Sequence, residues 1–238
     1  MSRVRLHFLV EGFSEENLVN RMIGPHLANF GVDCFAMKVT TQRDKRAGVV
    51  FKGGGGSYQK VRSDLEKLIA QWRGKQNVWF TSLFDAYGLP SDFPGRDNSL
   101  RIVDAYAKVD ALEKAWGNDI APLKTERFIP HLQLHEFETL LFAHIEALQT
   151  LLLEESKAIA QLAASVTAFN NPELINHTEQ GAPSKRIINF VAAYQRYKRD
   201  DQSGAINVLE VIGLSAIRER CQHFDSWITR LEGLGQVA

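Results

Sequence analysis

The first half of the chain alternates between segments with the apolar pattern of strands and segments with the amphipathic pattern of helices. Four short apolar segments predict strands, at residues 4–10, 32–40, 77–84 and 127–134. Three amphipathic segments between them predict helices, at residues 14–30, 57–73 and 101–116. Parallel strands need helical crossovers of this kind. The order therefore predicts an α/β fold with a mostly parallel, four-stranded sheet flanked by helices.

Residues at the ends of the first predicted helix support its assignment. Ser14 is the predicted N-cap, and Glu15 and Glu16 fall in the first turn, where the helix dipole favours acids. Gly31 is the predicted stop.

The second half of the chain contains no convincing strand pattern. Its apolar spacing predicts helices only, at residues 136–153, 155–168, 184–197 and 217–231. We therefore expect an α/β core over residues 1–143 and a helical C-terminal region, residues 144–238, that packs on it.

Composition excludes several classes of protein. Lys+Arg and Asp+Glu both number 28, so the whole chain lacks the basic excess of a strong nucleic-acid binder, and only a local basic patch is possible. The two cysteines, Cys34 and Cys221, lie far apart, and the histidines other than His135 show no ligand spacing with one another, which argues against zinc and disulfides. No leader peptide and no apolar run of about 20 residues is visible, so we expect a cytoplasmic protein without a membrane partner.

Acidic residues follow three of the four predicted strands. Glu11 follows the first strand, Asp85 the third, and Glu136 and Glu138 the fourth. The carboxyl ends of parallel strands line one crevice, so these side chains should converge there. Clustered carboxylates stay ionised only around a cation, and oxygen ligands favour Mg²⁺ or Mn²⁺. Taken singly, each acid could instead be a solvated loop residue, a turn residue or a favourable charge at a helix N-terminus.

Two basic features could hold phosphate. Ser184 begins a predicted helix whose N-terminus attracts anions, and Lys185 and Arg186 add positive charge there. Arg46 lies in a basic loop, residues 43–52, that precedes four glycines. The alternatives are an ordinary capped helix and a mobile linker. His135 borders the acids and could be a ligand, a proton shuttle or a buried structural histidine.

At the first strand, the segment VEGFSEE (10–16) resembles the first motif of Toprim domains, which occur in topoisomerases, DnaG-type primases and OLD-family nucleases. The whole chain is similar to a bacterial Toprim-like family catalogued as a domain of unknown function. Besides the first motif, the stretches that carry this resemblance are KRAGVVF (45–51), SLFDAYGLPSDFPG (82–95), FIPHLQLHEFETLLF (128–142) and APSKRI (182–187).

The resemblance implies roles for the acids. Glu11 matches the Toprim glutamate that acts in acid–base chemistry or metal binding. Asp85 matches the first position of the Mg²⁺-binding Asp-x-Asp motif, but Tyr87 stands where the second aspartate would be. Three alternatives follow: Asp92, Glu136 or Glu138 supplies the missing oxygens, the site binds one metal, or the chemistry has been lost.

These observations predict a Mg²⁺- or Mn²⁺-dependent nuclease or related phosphodiester-processing enzyme. Glu11, Asp85, Glu138 and Lys185 would be catalytic, and Arg46, Ser184, Lys185 and Arg186 would bind substrate. The resemblance implies nucleic acid as partner, DNA before RNA, and a role in bacterial defence against foreign DNA. The chain has no Walker A motif, so an AAA- or ABC-type ATPase would be a separate protein. The alternatives are a catalytically inactive Toprim-derived scaffold that binds a partner protein or nucleic acid, and a phosphotransferase or phosphatase acting on a small molecule.

Overall fold

The computed structural model describes residues 3–39, 57–123, 126–175, 181–197 and 204–236. In these ranges the sheet consists of five strand segments, and every pairing between them is parallel. They are β1 (Val4–Val10), β2 (Val32–Lys38), β3 (Val78–Asp85), β4 (Phe128–Ile129) and β5 (Leu132–Gln133). The predicted α/β fold with a mostly parallel sheet is thereby confirmed.

Eleven α-helices are assigned in the described ranges. They are α1 (Phe13–Leu18), α2 (Gly24–Ala28), α3 (Tyr58–Gln71), α4 (Arg96–Ser99), α5 (Ala105–Ile120), α6 (Ser156–Val166), α7 (Pro183–Phe190), α8 (Tyr194–Tyr197), α9 (Gly204–Ile212), α10 (Leu214–Arg220) and α11 (Gln222–Glu232). None of these described helices is long and apolar enough to cross a membrane.

The strand order is β2-β1-β3-β4, with β5 also paired to β3. The chain leaves β1 in one direction to form β2, and then crosses back over β1 to form β3. The strand order thus reverses between β1 and β3. Open parallel sheets bind their ligands in the crevice at such a switch point, outside the carboxyl ends of the strands.

Side chains that alternate along each strand enter two apolar cores, one on each face of the sheet. The first core contains Leu6, Phe8 and Leu83 together with residues of α1, α2 and the C-terminal helices. The second core contains Phe80 and Phe84 together with residues of α3 and α5. The helices after residue 143 therefore share one core with the central strands.

The predicted helix at residues 14–30 is interrupted. Between α1 and α2 the chain forms a π-helix, Val19–Ile23, in which the backbone N–H of Gly24 donates to the carbonyl of Val19. The next residue, Pro25, has no N–H to donate to the preceding turn, and a helix commonly changes its hydrogen-bonding pattern at such a place. Gly31 ends the segment as predicted, with φ of 79°.

The predicted fourth strand, residues 127–134, is split into β4 and β5 by Pro130 and His131. Proline cannot donate to the ladder, and it interrupts this strand at the edge of the described sheet. The hydroxyl of Ser82 on β3 fills the gap: it accepts from the N–H of His131 at 2.8 Å and donates to the carbonyl of the same residue at 3.1 Å. The interrupted strand thus stays attached to β3.

In the C-terminal half, three of the predicted helices are wrong in detail. The helix predicted at 184–197 is broken into α7 and α8. Residues 136–153 form 3₁₀ turns, Phe137–Ala143 and Ile145–Thr150, not an α-helix. All seven residues of the first segment are buried. It therefore has no exposed polar face whose spacing could distinguish a 3₁₀ helix from an α-helix. The helix predicted at 217–231 is broken at Cys221 into α10 and α11, and α9 was not predicted.

Candidate metal centre

Carboxylates from three parts of the chain meet at the carboxyl ends of the strands. Glu11 follows β1, Asp85 ends β3, and Glu136 and Glu138 follow β5. A fifth acid, Glu15 in α1, joins them. We call Glu11, Glu15, Asp85, Glu136 and Glu138 the carboxylate cluster. The structure therefore brings together the four acids predicted at strand ends.

Asp85 is the most constrained member of this cluster. Burial raises its pKa well above the usual range, and the neighbouring charges raise it further, in decreasing order Glu15, Glu11, Glu138 and Glu136. Its Oδ1 is buried and has no hydrogen-bond partner among the described residues. A buried acceptor without a partner loses the hydration that it has in water. Asp85 therefore has a buried oxygen that the described residues leave unpaired.

Glu11 lies against the backbone that follows β3. Its Oε2 accepts from the N–H of Asp85 at 3.4 Å. Burial raises the pKa of Glu11, although that hydrogen bond opposes the rise. A Cβ atom added to Gly88 would lie 3.2 Å from Glu11 Oε1, which shows how closely the turn after β3 packs on this carboxylate.

Glu15 was not predicted as a site residue. Its side chain is 7% exposed and accepts from the N–H of Gly12 at 2.8 Å, as the third residue of a helix does in a capping box. Burial raises its pKa to about 7, and the charges of Glu11 and Glu138 contribute. The predicted N-cap, Ser14, instead lies inside α1, and Gly12 precedes the helix. The three-residue spacing of Gly12 and Glu15 could have indicated this arrangement.

His135 turns the chain between β5 and the acids that follow it. It is the one non-glycine residue with positive φ, 64°, in the described ranges, a conformation that costs about 1–2 kcal/mol. Its Nε2 lies 2.9 Å from the carbonyl of Glu173, and its own carbonyl accepts from the N–H of Tyr87 at 3.0 Å. These bonds support a structural role in orienting Glu136 and Glu138.

The predicted phosphate-binding residues differ from one another in their surroundings. The backbone N–H of Ser184 donates to Glu136 Oε1, so the N-terminus of α7 already contacts a carboxylate. Lys185 is exposed, whereas Arg186 donates to the carbonyl of Ile175 at 3.4 Å. Arg46 lies outside the described residues.

Asp92, the alternative source of oxygen ligands, belongs to another part of the structure. It accepts from the hydroxyl of Ser57 at 2.6 Å and from the N–H of Tyr58 at 2.9 Å. These bonds lower its pKa and hold it at the N-terminus of α3. The charges that act on Asp85 come from Glu11, Glu15, Glu136 and Glu138 instead.

The histidines show no ligand spacing in the sequence, but two of them meet an acid elsewhere in the fold. Glu113, His131 and His223 place ligand atoms within 4.8 Å of one another. Their sequence separation hid this, because the three residues come from α5, the β4–β5 junction and α11.

The chain is thus an α/β protein with a parallel sheet and a candidate acidic metal centre at the switch point of that sheet. The chain belongs to the family described as a domain of unknown function, DUF4276, whose model matches residues 10–232. This confirms the expected membership of a family catalogued in that way, whereas the relationship to Toprim domains stays a prediction. No curated protein and no solved structure matches the chain.

Proposed function

We propose that the carboxylate cluster binds Mg²⁺ or Mn²⁺ and that the chain processes phosphodiesters there. The observation that carries the proposal is Asp85, a buried carboxylate whose Oδ1 has no hydrogen-bond partner among the described residues and whose neighbours are four further acids. A divalent cation supplies the missing partner and offsets the mutual repulsion of the acids.

The chemistry of the donors fits a hard cation. All five members offer carboxylate oxygens, the ligands that Mg²⁺ and Mn²⁺ prefer over nitrogen or sulfur. Tyr87, at the second position of the Asp-x-Asp pattern, is 49% exposed, whereas Glu15 and Glu138 are buried and their charges act on Asp85. Asp85 and Glu11 would hold the ion, with Glu15, Glu136 and Glu138 as further ligands or as a base.

Such an ion supplies charge neutralisation for phosphoryl or phosphodiester chemistry. The raised pKa of Glu15, about 7, suits a group that exchanges a proton near neutral pH. Lys185 is exposed and follows Ser184, whose N–H donates to Glu136, and we propose that it contacts a phosphate oxygen. Arg46 is the predicted second contact.

Nuclease activity on DNA in preference to RNA, a separate AAA- or ABC-type ATPase partner and a role in bacterial defence belong to the same proposal. Their support is the resemblance of VEGFSEE (10–16) and SLFDAYGLPSDFPG (82–95) to Toprim sequences. An inactive scaffold is the second candidate. It is favoured by the bond between Ser184 and Glu136, which occupies both the helix N-terminus and one of the acids.

The first test is Mn²⁺ binding by the full chain, measured by electron paramagnetic resonance and calorimetry. Asp85→Asn should weaken binding at least about 100-fold and, without metal, should raise the free energy of unfolding because it removes a buried charge. Asp92→Asn is the matched control: the same change in a nearby acid that caps α3 should leave Mn²⁺ binding unchanged. Equal Mn²⁺ affinity in wild type and Asp85→Asn would contradict the proposed site.

Activity separates the two candidate functions. Labelled single- and double-stranded DNA and RNA are incubated with Mn²⁺, with and without an ATPase partner, and cleavage is compared between wild type, Asp85→Asn and Lys185→Ala. Cleavage that requires Asp85 supports the enzyme. Metal binding without cleavage of any of these substrates, or of small phosphodiesters, supports the scaffold.

A further inference from the structure

A second group of metal-ligating side chains lies away from the carboxylate cluster. Glu113 comes from the middle of α5, His131 from the break between β4 and β5, and His223 from the first turn of α11. His223 Nε2 is 2.9 Å from Glu113 Oε1, and His131 Nδ1 is 3.6 Å from the same oxygen. Three elements that are distant in sequence therefore meet at one carboxylate oxygen. We call these residues the histidine group.

His131 lacks a hydrogen bond that would explain its burial. The residue is 1% exposed, and its Nε2 has no hydrogen-bond partner among the described residues. Its Nδ1 lies beyond normal hydrogen-bond length from Glu113. A buried imidazole in this state has lost its hydration without replacement. Nδ1 is the ring nitrogen that faces Glu113, so it is the atom that an ion at the histidine group would contact.

Ring stacking holds the imidazoles of the histidine group in place. His131 stacks on Trp227 with ring centroids 4.0 Å apart and planes 5° apart, which fixes its orientation. The centroids of His131 and His223 are 4.9 Å apart. Two imidazoles that bind one ion at about 2.1 Å have centroids about 4.5–5 Å apart, and their ligand atoms are about 3.0–3.5 Å from a third ligand. The observed separations are close to these values.

We propose that Glu113, His131 and His223 bind a first-row transition-metal ion, specifically Zn²⁺. Two imidazoles and one carboxylate form a three-ligand set that leaves coordination positions open, as in zinc sites that bind a further ligand. Nitrogen ligands distinguish this site from the all-oxygen carboxylate cluster, which suits Mg²⁺ or Mn²⁺. The proposal does not depend on the function proposed for that cluster.

A cavity gives the site access to solvent. Glu113 lines a cavity of about 1050 Å³ together with Asp110, Lys114, Arg127 and Arg230. The residues Gly74, Gln76 and Phe128 also line it, which places it at the amino ends of β3 and β4. The carboxylate cluster lies at the opposite, carboxyl ends of the strands. An ion can therefore enter the histidine group without passing the cluster.

The test is a titration of the metal-free full chain with Co²⁺, followed by visible absorption, and with Zn²⁺, followed by calorimetry. We expect one equivalent to bind at this site, with the intense absorption of four- or five-coordinate Co²⁺. His223→Ala and Glu113→Gln should each weaken binding by more than about 100-fold, because even outer partners of metal ligands typically contribute about 10- to 100-fold. Glu113→Gln keeps an oxygen that can accept from the N–H of Leu132, so it also serves if His223→Ala does not fold.

Two controls localise the ion. His144→Ala removes a histidine that is paired with an acid, Glu146, at 3.5 Å on the exposed surface, and it should leave binding unchanged. Asp85→Asn disables the carboxylate cluster and should also leave Zn²⁺ binding at the histidine group unchanged. The proposal is overturned if Co²⁺ shows only weak six-coordinate absorption, if Glu113→Gln binds as wild type does, or if Asp85→Asn alone abolishes binding.

Discussion

Glu15 and Glu16 are consecutive acids on α1, yet they have different surroundings. Glu15 is buried beside the other acids of the carboxylate cluster, and its pKa is raised from 4.5 to about 7. Glu16 pairs with Lys38 near the surface. Between pH 4.5 and 7 the folded chain therefore retains a proton on Glu15 that the unfolded chain releases, and the stability contributed by Glu15 falls as pH rises through this window.

The first prediction concerns the change of the free energy of unfolding with pH that Glu15 causes. In metal-free protein, Glu15→Gln should raise the free energy of unfolding at pH 8 by up to about 3 kcal/mol and should leave it nearly unchanged at pH 4.5. Glutamine can still accept from the N–H of Gly12. Urea unfolding across pH 4.5–8 measures the effect, with Glu16→Gln as the control. A pH dependence identical in wild type and Glu15→Gln would show that Glu15 does not carry the proton.

His7 should give a slope of the opposite sign. Its ring stacks between Phe35 and Phe80, and burial, with the charge of Arg5, lowers its pKa from 6.5 to about 4. The unfolded chain therefore binds a proton between pH 6.5 and 4 that the folded chain does not, so the stability contributed by His7 is lost as pH falls. His7→Phe should be more stable than wild type at pH 4.5 by about 2 kcal/mol.

Urea unfolding at pH 4.5 and pH 7.5 checks the prediction for His7. His144→Ala is the matched control because that imidazole is exposed. Because the windows of His7 and Glu15 overlap, the difference between each variant and wild type is informative, and the wild-type curve alone is not. A His7→Phe variant with the wild-type loss of stability between pH 7.5 and 4.5 would contradict the assignment.

At the scale of the element, the break in the fourth strand makes Ser82 a structural residue. Its hydroxyl bonds both backbone groups of His131. Ser82→Ala leaves a buried donor and a buried acceptor unpaired and should lower the free energy of unfolding by about 1–3 kcal/mol. Ser226→Ala removes an exposed hydroxyl bond within α11 and should change stability by less than about 0.5 kcal/mol. Thermal and urea unfolding compare the two, and equal effects would contradict this role.

Elements were predictable from sequence where a local rule determines them. β1 was predicted with its observed bounds because its apolar residues continue until Glu11, and Gly31 was correctly predicted as the stop of the first helical segment. The π-helix Val19–Ile23 and the 3₁₀ turn Phe137–Ala143 were not predicted, because apolar spacing does not separate these forms from an α-helix.

At the scale of the whole molecule, the two predicted regions share one interior. Leu6 and Phe8 of β1 lie in the same core as Phe224 and Trp227 of α11. We therefore expect one cooperative unfolding transition for the full chain. Far-UV circular dichroism and tryptophan fluorescence should give coincident urea curves, since Trp116 reports the second core and Trp227 the first. Two separated transitions would instead support independent units divided near residue 143.

The candidate site was predictable to the extent that parallel strands determine it. The strands that lead to Glu11 and Asp85 are parallel, so their carboxyl ends lie at one edge of the sheet whatever the strand order. The convergence of these two acids could therefore be predicted without knowing that order. The order β2-β1-β3-β4 makes the two strands adjacent, and no local pattern specifies it. The histidine group could not be predicted even with the strand order, because Glu113 and His223 are 110 positions apart and meet only through the packing of α11.

The pairing of β1 with β3 also bears on the order in which the acids of the carboxylate cluster come together during synthesis. Glu11 and Asp85 are 74 positions apart, and Glu136 and Glu138 follow about 50 residues later. As the chain leaves the ribosome from its N-terminus, it exposes the first acids long before it can bring the others beside them. Glu11, Glu15 and Asp85 can meet once β3 has paired with β1, whereas Glu136 and Glu138 can add their charges only after residue 138 has emerged. The repulsion within the carboxylate cluster therefore reaches its full strength late in synthesis.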